Sequence, residues 1–211
     1  MPLLIAVSGF KDSGKTTLAG ALLKMLAERG LAVGFVKHCG EDVLSPPESD
    51  TGKMEALGAR TVFWGRNGAR MEFPFLKMDR NSIQALFAGD DIVLVEGGKD
   101  LPLPRIWVGD PRGLPAEVKG VFACYDRTSS AGDGSFLFSS GEESFLAEKI
   151  LGYFHRAEGS SGAEVYVRGR KVPLKPFLAR MLSGCLSGLL LPLKGMLSLR
   201  EGVEIHLKRR Q

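Results

Sequence analysis

The chain has 211 residues, 44% of them hydrophobic and 25% charged, which suits one soluble α/β domain with a small appendage and is short for two full domains. Its net charge of +4, from 28 basic and 24 acidic side chains, is spread along the sequence and marks no nucleic-acid arm. The densest basic run, Lys208-Arg209-Arg210, reads as a solvated end.

Leu3 to Ser8 (LLIAVS) is continuously apolar, the pattern of a strand buried on both faces. From Thr16 to Arg29, the residues Leu18, Leu22, Leu23, Met25 and Leu26 form a helical stripe, and Gly30 sits where a helix C-cap glycine belongs. Leu31 to Val36 is the next strand, which closes a βαβ unit. Gly40 to Ser49 is a loop, and Asp50 is placed to N-cap a short helix that ends near Leu57 at Gly58. Thr61 to Trp64 and Ala69 to Phe73 read as short strands, and Asn81 to Phe87 as a helix. Asp91 to Val95 (DIVLV) is a further buried strand, with additional strands expected at Arg105 to Val108 and Val118 to Cys124. The segment "SSAGDGSF" reads as a flexible loop and Ser144 to Phe154 as an amphipathic helix. Together these elements predict a doubly wound, mostly parallel sheet over residues 1–156. Arg156 to Glu164 is a Gly/Ser-rich linker, and residues 163–211 form a small β-α-β unit from Val165–Val167, Lys175–Leu191 and Val203–Leu207.

The chemistry concentrates at Gly9-Phe10-Lys11-Asp12-Ser13-Gly14-Lys15-Thr16, which fits the phosphate-loop pattern G-x-x-x-x-G-K-[ST] at every fixed position. Glycines let the backbone N–H groups converge on phosphate oxygens, and the following helix points its positive dipole end at the same place. Lys15 then supplies a point charge for the β- and γ-phosphates, and the Thr16 hydroxyl a magnesium ligand. The loop lies between a buried strand and an amphipathic helix, the setting the motif requires. Glu96, at the end of the DIVLV strand, is placed to hold magnesium or to orient a water; a carboxylate that only caps the following turn is the alternative. Asp91 starts the same strand, about 17 Å away at ~3.3 Å per residue, and reads as structural. Asp50 carries two readings, helix cap or magnesium-side carboxylate. His38 and Cys39 are adjacent on an extended chain and cannot both face one ion easily, so His38 reads as structural or supporting.

Three cysteines, Cys39, Cys124 and Cys185, are far apart and form no CxxC pair, which indicates neither a disulfide framework nor a zinc knuckle. The first ten residues lack the marks of a signal peptide. The longest apolar run, Leu186 to Leu193, is far short of a membrane span. A reducing, cytoplasmic setting is the expectation.

Four stretches resemble the family of molybdopterin-guanine dinucleotide biosynthesis protein B, MobB. They are the loop "GFKDSGKTTL", the strand "VGFVKH" (Val33 to His38), "DTGKMEALGA" (Asp50 to Ala59), and "DIVLVEGGK" (Asp91 to Lys99) followed by "PRIWV". The order and spacing agree over roughly residues 3 to 126. The resemblance implies a GTP-binding protein with weak hydrolysis that acts, as a dimer, beside the guanylyltransferase MobA in attaching GMP to molybdopterin. Carried over residue by residue, Gly14, Lys15, Thr16 and Thr17 would hold phosphates and magnesium; Gly9, Lys11, Asp12, Ser13, Lys99 and Asp126 complete the expected nucleotide contacts. Thr16, Asp50 and Glu96 would be the magnesium-side groups, and Lys15 and Glu96 the residues acting on the γ-phosphate. Lys53 stands where the family has arginine and Leu57 where it has alanine. The loop after His38 lacks the family's histidines. No N-K-x-D is present, so guanine preference rests on the resemblance alone, with "ACYD" (Ala123 to Asp126) as the candidate base-reading strand end. A small-molecule kinase with Arg66 and Arg70 in a lid, and a nucleotide-switched metallochaperone built on His38-Cys39, are the competing readings.

Overall fold

The computed structural model describes residues 2–73, 78–129, 132–158, 163, 165–167, 170–190 and 192–193. These fall into two compact units, Met1–His38 with Arg80–Gln211, and Cys39–Asp79.

In the larger unit, six strands form one sheet: β1 (Leu3–Gly9), β2 (Val33–Lys37), β5 (Ile92–Glu96), β6 (Arg105–Val108), β7 (Val121–Asp126) and β8 (Leu137–Ser139). Their order is β2-β5-β1-β6-β7-β8, and every pairing is parallel. All carboxyl ends therefore meet along one edge. The two-residue side-chain period of a strand divides the core into two layers. Ile5, Val7, Ile92 and Leu94 face one side, where they pack with Leu18, Leu22 and Leu26 of α1 (Lys15–Ala27) and with Leu146, Ile150 and Phe154 of α4 (Glu143–Glu158). Leu4, Ala6, Val93 and Val95 face the other, against Ile83 of α3 (Arg80–Leu86). Helices on both faces make the sheet doubly wound, as expected. The i, i+4, i+8 leucines of α1 are each 0–1% exposed, and burying each one contributes about 1.5–3 kcal/mol.

β8 follows directly on the segment that the sequence reads as a flexible loop, in a stretch for which no strand was expected. Asp133 Oδ1 accepts hydrogen bonds from the backbone N–H of Ser135 (2.8 Å), Phe136 (2.6 Å) and Leu137 (2.9 Å), which folds the turn and launches the strand. The same N–H groups of Phe136, Leu137 and Ser135 hold this carboxyl down to about 2. α4 continues to Glu158, so the first three residues of the expected linker are helical. Beyond it, Val165–Val167 (β9) pairs antiparallel with Arg170–Val172 (β10), and α5 spans Pro176–Leu190. The strand expected at Val203–Leu207 lies outside the described residues.

The smaller unit contains α2 (Asp50–Ala56) and the antiparallel hairpin of β3 (Thr61–Gly65) and β4 (Gly68–Glu72). The N-cap of α2 is Ser49, whose side chain accepts from Gly52 N at 3.0 Å; Asp50 is instead the first helical residue. The hairpin is fastened by two buried acids. Glu72 accepts from Ser45 Oγ (3.0 Å) and Arg70 Nη2 (2.6 Å), while Glu55 accepts from Thr61 Oγ1 (2.6 Å).

Candidate functional site

β1 ends at Gly9, and the chain turns at once into a loop that closes on α1. At Gly9 a Cβ would lie 2.4 Å from Val108 O and 2.6 Å from Ser13 Oγ, so no larger residue fits between the strand ends. Gly14 takes φ +95° as the N-cap of α1, a left-handed conformation that a side chain would strain. Asp12, at φ 61°, is left-handed as well, the one non-glycine so among the described residues. Alternating hands along a short stretch turn successive N–H groups inward, the arrangement that binds anions.

Lys15 folds back over this loop, its Nζ donating to Phe10 O at 2.5 Å. An ammonium held by one carbonyl is poised to exchange it for phosphate oxygens. Ser13 Oγ is buried, with no hydrogen-bond partner among the described residues. The next residue reaches across to the neighbouring strand: Thr16 Oγ1 donates to Glu96 Oε2 at 2.9 Å. The register Val7↔Glu96 between β1 and β5 sets Glu96 beside the loop, with 6% of its surface exposed. Two hard oxygen donors this close suit magnesium, which takes one or two protein oxygens at about 2.0–2.1 Å and leaves the rest of its shell to phosphate and water. The residues fit the ion that the resemblance implies.

Of the other expected contacts, Lys11 is exposed on the loop and Thr17 is exposed on the first turn of α1. Lys99 is held at the loop by aromatic faces, with its Nζ 4.8 Å from the ring centre of Phe10 and 5.7 Å from that of Trp107. Asp126 closes β7 and accepts from Thr128 N (2.9 Å) and Thr128 Oγ1 (2.8 Å), which fixes its carboxylate at the strand end. Asp50 lies in the other unit, exposed and 3.9 Å from Lys53, so its magnesium role remains an expectation from the resemblance.

Asp91 proves structural: its Oδ2 accepts from Ala32 N at 2.9 Å at the entrance to β2. His38 is exposed and tied by its main-chain N–H to Glu96 O (2.9 Å). Among the described residues no group of three or more His, Cys, Asp or Glu is gathered that could hold a metal by itself. Arg70, imagined as a lid residue, pairs with Glu72 and stacks over Phe63, its Cζ 4.6 Å from the ring centre.

Two arginines escape the sequence reading. Arg105, 1% exposed, lies under the turn that follows Glu96. Its guanidinium donates to Ser8 Oγ (2.8 Å), Gly98 O (3.2 Å), Leu101 O (2.6 Å) and Lys119 O (2.7 Å), and Ser8 Oγ in turn donates to Gly97 O (2.6 Å). Burial pulls the guanidinium below the ordinary arginine range, and the charge of Asp100 opposes that shift. A basic residue inside an otherwise apolar strand was the available signal. Arg127, one residue past the end of β7, packs on Gly14; a Cβ there would lie 2.8 Å from Arg127 Nε. Its signal was position at the carboxyl edge, where parallel sheets bind ligands.

A family model described as "Molybdopterin guanine dinucleotide synthesis protein B" matches residues 4–118, over half of the chain. A relative from Haemophilus influenzae named "Molybdopterin-guanine dinucleotide biosynthesis adapter protein" is 31% identical over 108 residues, 49% of this chain and 61% of the relative. The match thus spans about three fifths of that curated relative. A crystal structure of molybdopterin-guanine biosynthesis protein B superposes with a TM-score of 0.56 at 25% identity, over 72% of this chain and 99% of that one. The Bacillus subtilis MobB crystal structure gives 0.55 at 26% identity, over 72% and 97%.

Proposed function

The chain belongs to the molybdopterin guanine dinucleotide synthesis protein B family, and from that membership we propose that it is a GTP-binding accessory protein of molybdenum-cofactor maturation. It would act in the cytoplasm beside a MobA-like guanylyltransferase as GMP is joined to molybdopterin. The observation that carries the reading is the constellation of Gly14 in the left-handed region, Lys15 capping the loop and Thr16 bonded to Glu96. Residues 1–156 bind the nucleotide in this reading; residues 163–211, which cluster with the larger unit, have no assigned chemistry.

Magnesium, when bound beside Thr16 and Glu96, neutralises charge on the β- and γ-phosphate oxygens. Lys15 adds a second cation, Lys99 a third at the loop, and Asp126 faces the base. Transfer to water under these groups is slow, because they stabilise charge without an arginine aimed at the transferred phosphoryl group. A homodimer and a protein partner are supported by one face of the β3–β4 hairpin. There Val62 (55% exposed), Trp64 (89%) and Met71 (58%) stand together on one side of the ribbon, an apolar surface of the kind that marks interaction sites. No helix among the described residues is long and apolar enough to cross a membrane.

Titration with GTP, GDP and ATP in magnesium tests the reading. Tight, guanine-selective binding is expected; no binding of any of the three overturns it.

A further inference from the structure

The two ends of a nucleotide laid on this loop are not equivalent. The Thr16–Glu96 bond marks the magnesium side, and β5, which carries Glu96, flanks β1 on one side only. A triphosphate whose magnesium-bound end lies toward β5 sends its nucleoside toward the opposite flank, over β6 and β7. There the chain holds Asp126 and Arg127.

Arg127 lies against the outside of the loop, not within the cradle. Ser13 N–H points across the loop to Phe10 O (3.3 Å). All described peptides are trans, so the carbonyl of Asp12 faces the opposite way from that N–H. Arg127 Nη2 approaches that outward carbonyl at 3.5 Å, and the guanidinium packs where a Cβ of Gly14 would stand, with Nε at 2.8 Å and Cζ at 2.9 Å. Among the described residues Arg127 forms no ion pair, and it is exposed, so the side chain that touches the loop also keeps surface free for a ligand.

We propose that Arg127 is a base-stacking residue: its planar guanidinium lies between the phosphate loop and the purine ring of the bound nucleoside triphosphate. A planar, delocalised cation stacks on an aromatic ring where a lysine ammonium cannot. With Asp126 beside it at the strand end, one side chain meets the edge of the base and the next its face. This supplies base affinity without an N-K-x-D sequence, and it places the cation at the wrong end of the nucleotide to serve phosphoryl transfer. The inference rests on the nucleotide reading given above.

The test compares binding of GTP and of inorganic tripolyphosphate, each with magnesium and each measured by displacement of a fluorescent GTP analogue. The full chain is used as wild type, Arg127→Ala, Arg127→Lys and Lys15→Ala. Arg127 is exposed, and the alanine variant is expected to keep the wild-type melting temperature in the absence of ligand. Stacking requires that Arg127→Ala weaken GTP by about tenfold while tripolyphosphate stays within about twofold of wild type, with Arg127→Lys recovering only part of the loss. Equal weakening of both ligands, or of neither, overturns the stacking role. If wild type takes up no nucleotide, the nucleotide reading falls with it. If wild type binds and Lys15→Ala does not, an unchanged Arg127→Ala refutes the stacking role alone.

Discussion

Thr16 and Glu96, 80 residues apart in sequence, are joined by a 2.9 Å hydrogen bond between hydroxyl and carboxylate. The bond brings the first turn of α1 and the end of β5 to one point. The proposed magnesium chemistry starts from it.

Removing the Thr16 hydroxyl takes away one ligand and leaves Glu96 without its donor. Thr16→Ala is expected to weaken GTP binding about tenfold in magnesium and much less in EDTA. Isothermal titration in both buffers reads the difference, and equal losses would argue against a magnesium role.

Lys15→Ala removes the ammonium that spans the loop. GTP affinity is expected to fall by about 100-fold or more while the melting temperature without ligand stays near wild type, since the lysine's described bond is to one carbonyl, Phe10 O. Near-normal affinity in a titration would refute the site.

Arg105 satisfies four oxygens from inside the protein. Arg105→Met strands them and is expected to cost about 3 kcal/mol in urea unfolding, with Arg105→Lys recovering part because one ammonium reaches fewer acceptors. A loss below about 1 kcal/mol would show that the turn after Glu96 holds without it.

The hairpin unit should have a stability optimum in pH. The Glu72 carboxyl, hydrogen-bonded by Glu55 and by Ser45, is held below the usual carboxylate range. Its contribution is present above the unfolded value and lost as pH falls through the lowered one. The Glu55 carboxyl is raised, because it donates a shared proton to Glu72. Its contribution is full below the unfolded value and lost as pH rises through the raised one. The protection of the β3–β4 amides, taken as their exchange rate relative to the intrinsic rate at each pH, should therefore be greatest between the two. Glu55→Gln, which keeps a donor at every pH, should abolish the alkaline loss alone; an unchanged alkaline limb would exclude the shared proton as its cause.

Much of this was legible in one dimension. The buried run Leu3–Ser8, the leucines of α1 and the phosphate-loop spacing are local signals, set by strand alternation, helical period and backbone freedom within about twenty residues. They gave the doubly wound sheet and the loop's residues. The short strand β8 was missed because its nucleus is a side chain, Asp133, collecting three N–H groups in a stretch whose composition says only turn. The cap of α2 was misplaced by one residue because Ser49 and Asp50 are both good caps, and only the backbone of Ser49, at φ -70° and ψ 161°, decides between them.

What the sequence determined by itself was which residues are fit to hold a phosphate. Which partners they would have was decided by the parallel register, because sheet order brings Glu96 to Thr16 on one side of β1 and Arg127 to Gly14 on the other. Neighbours along a sheet are chosen by the strand crossovers of the whole chain, and no local period records that choice.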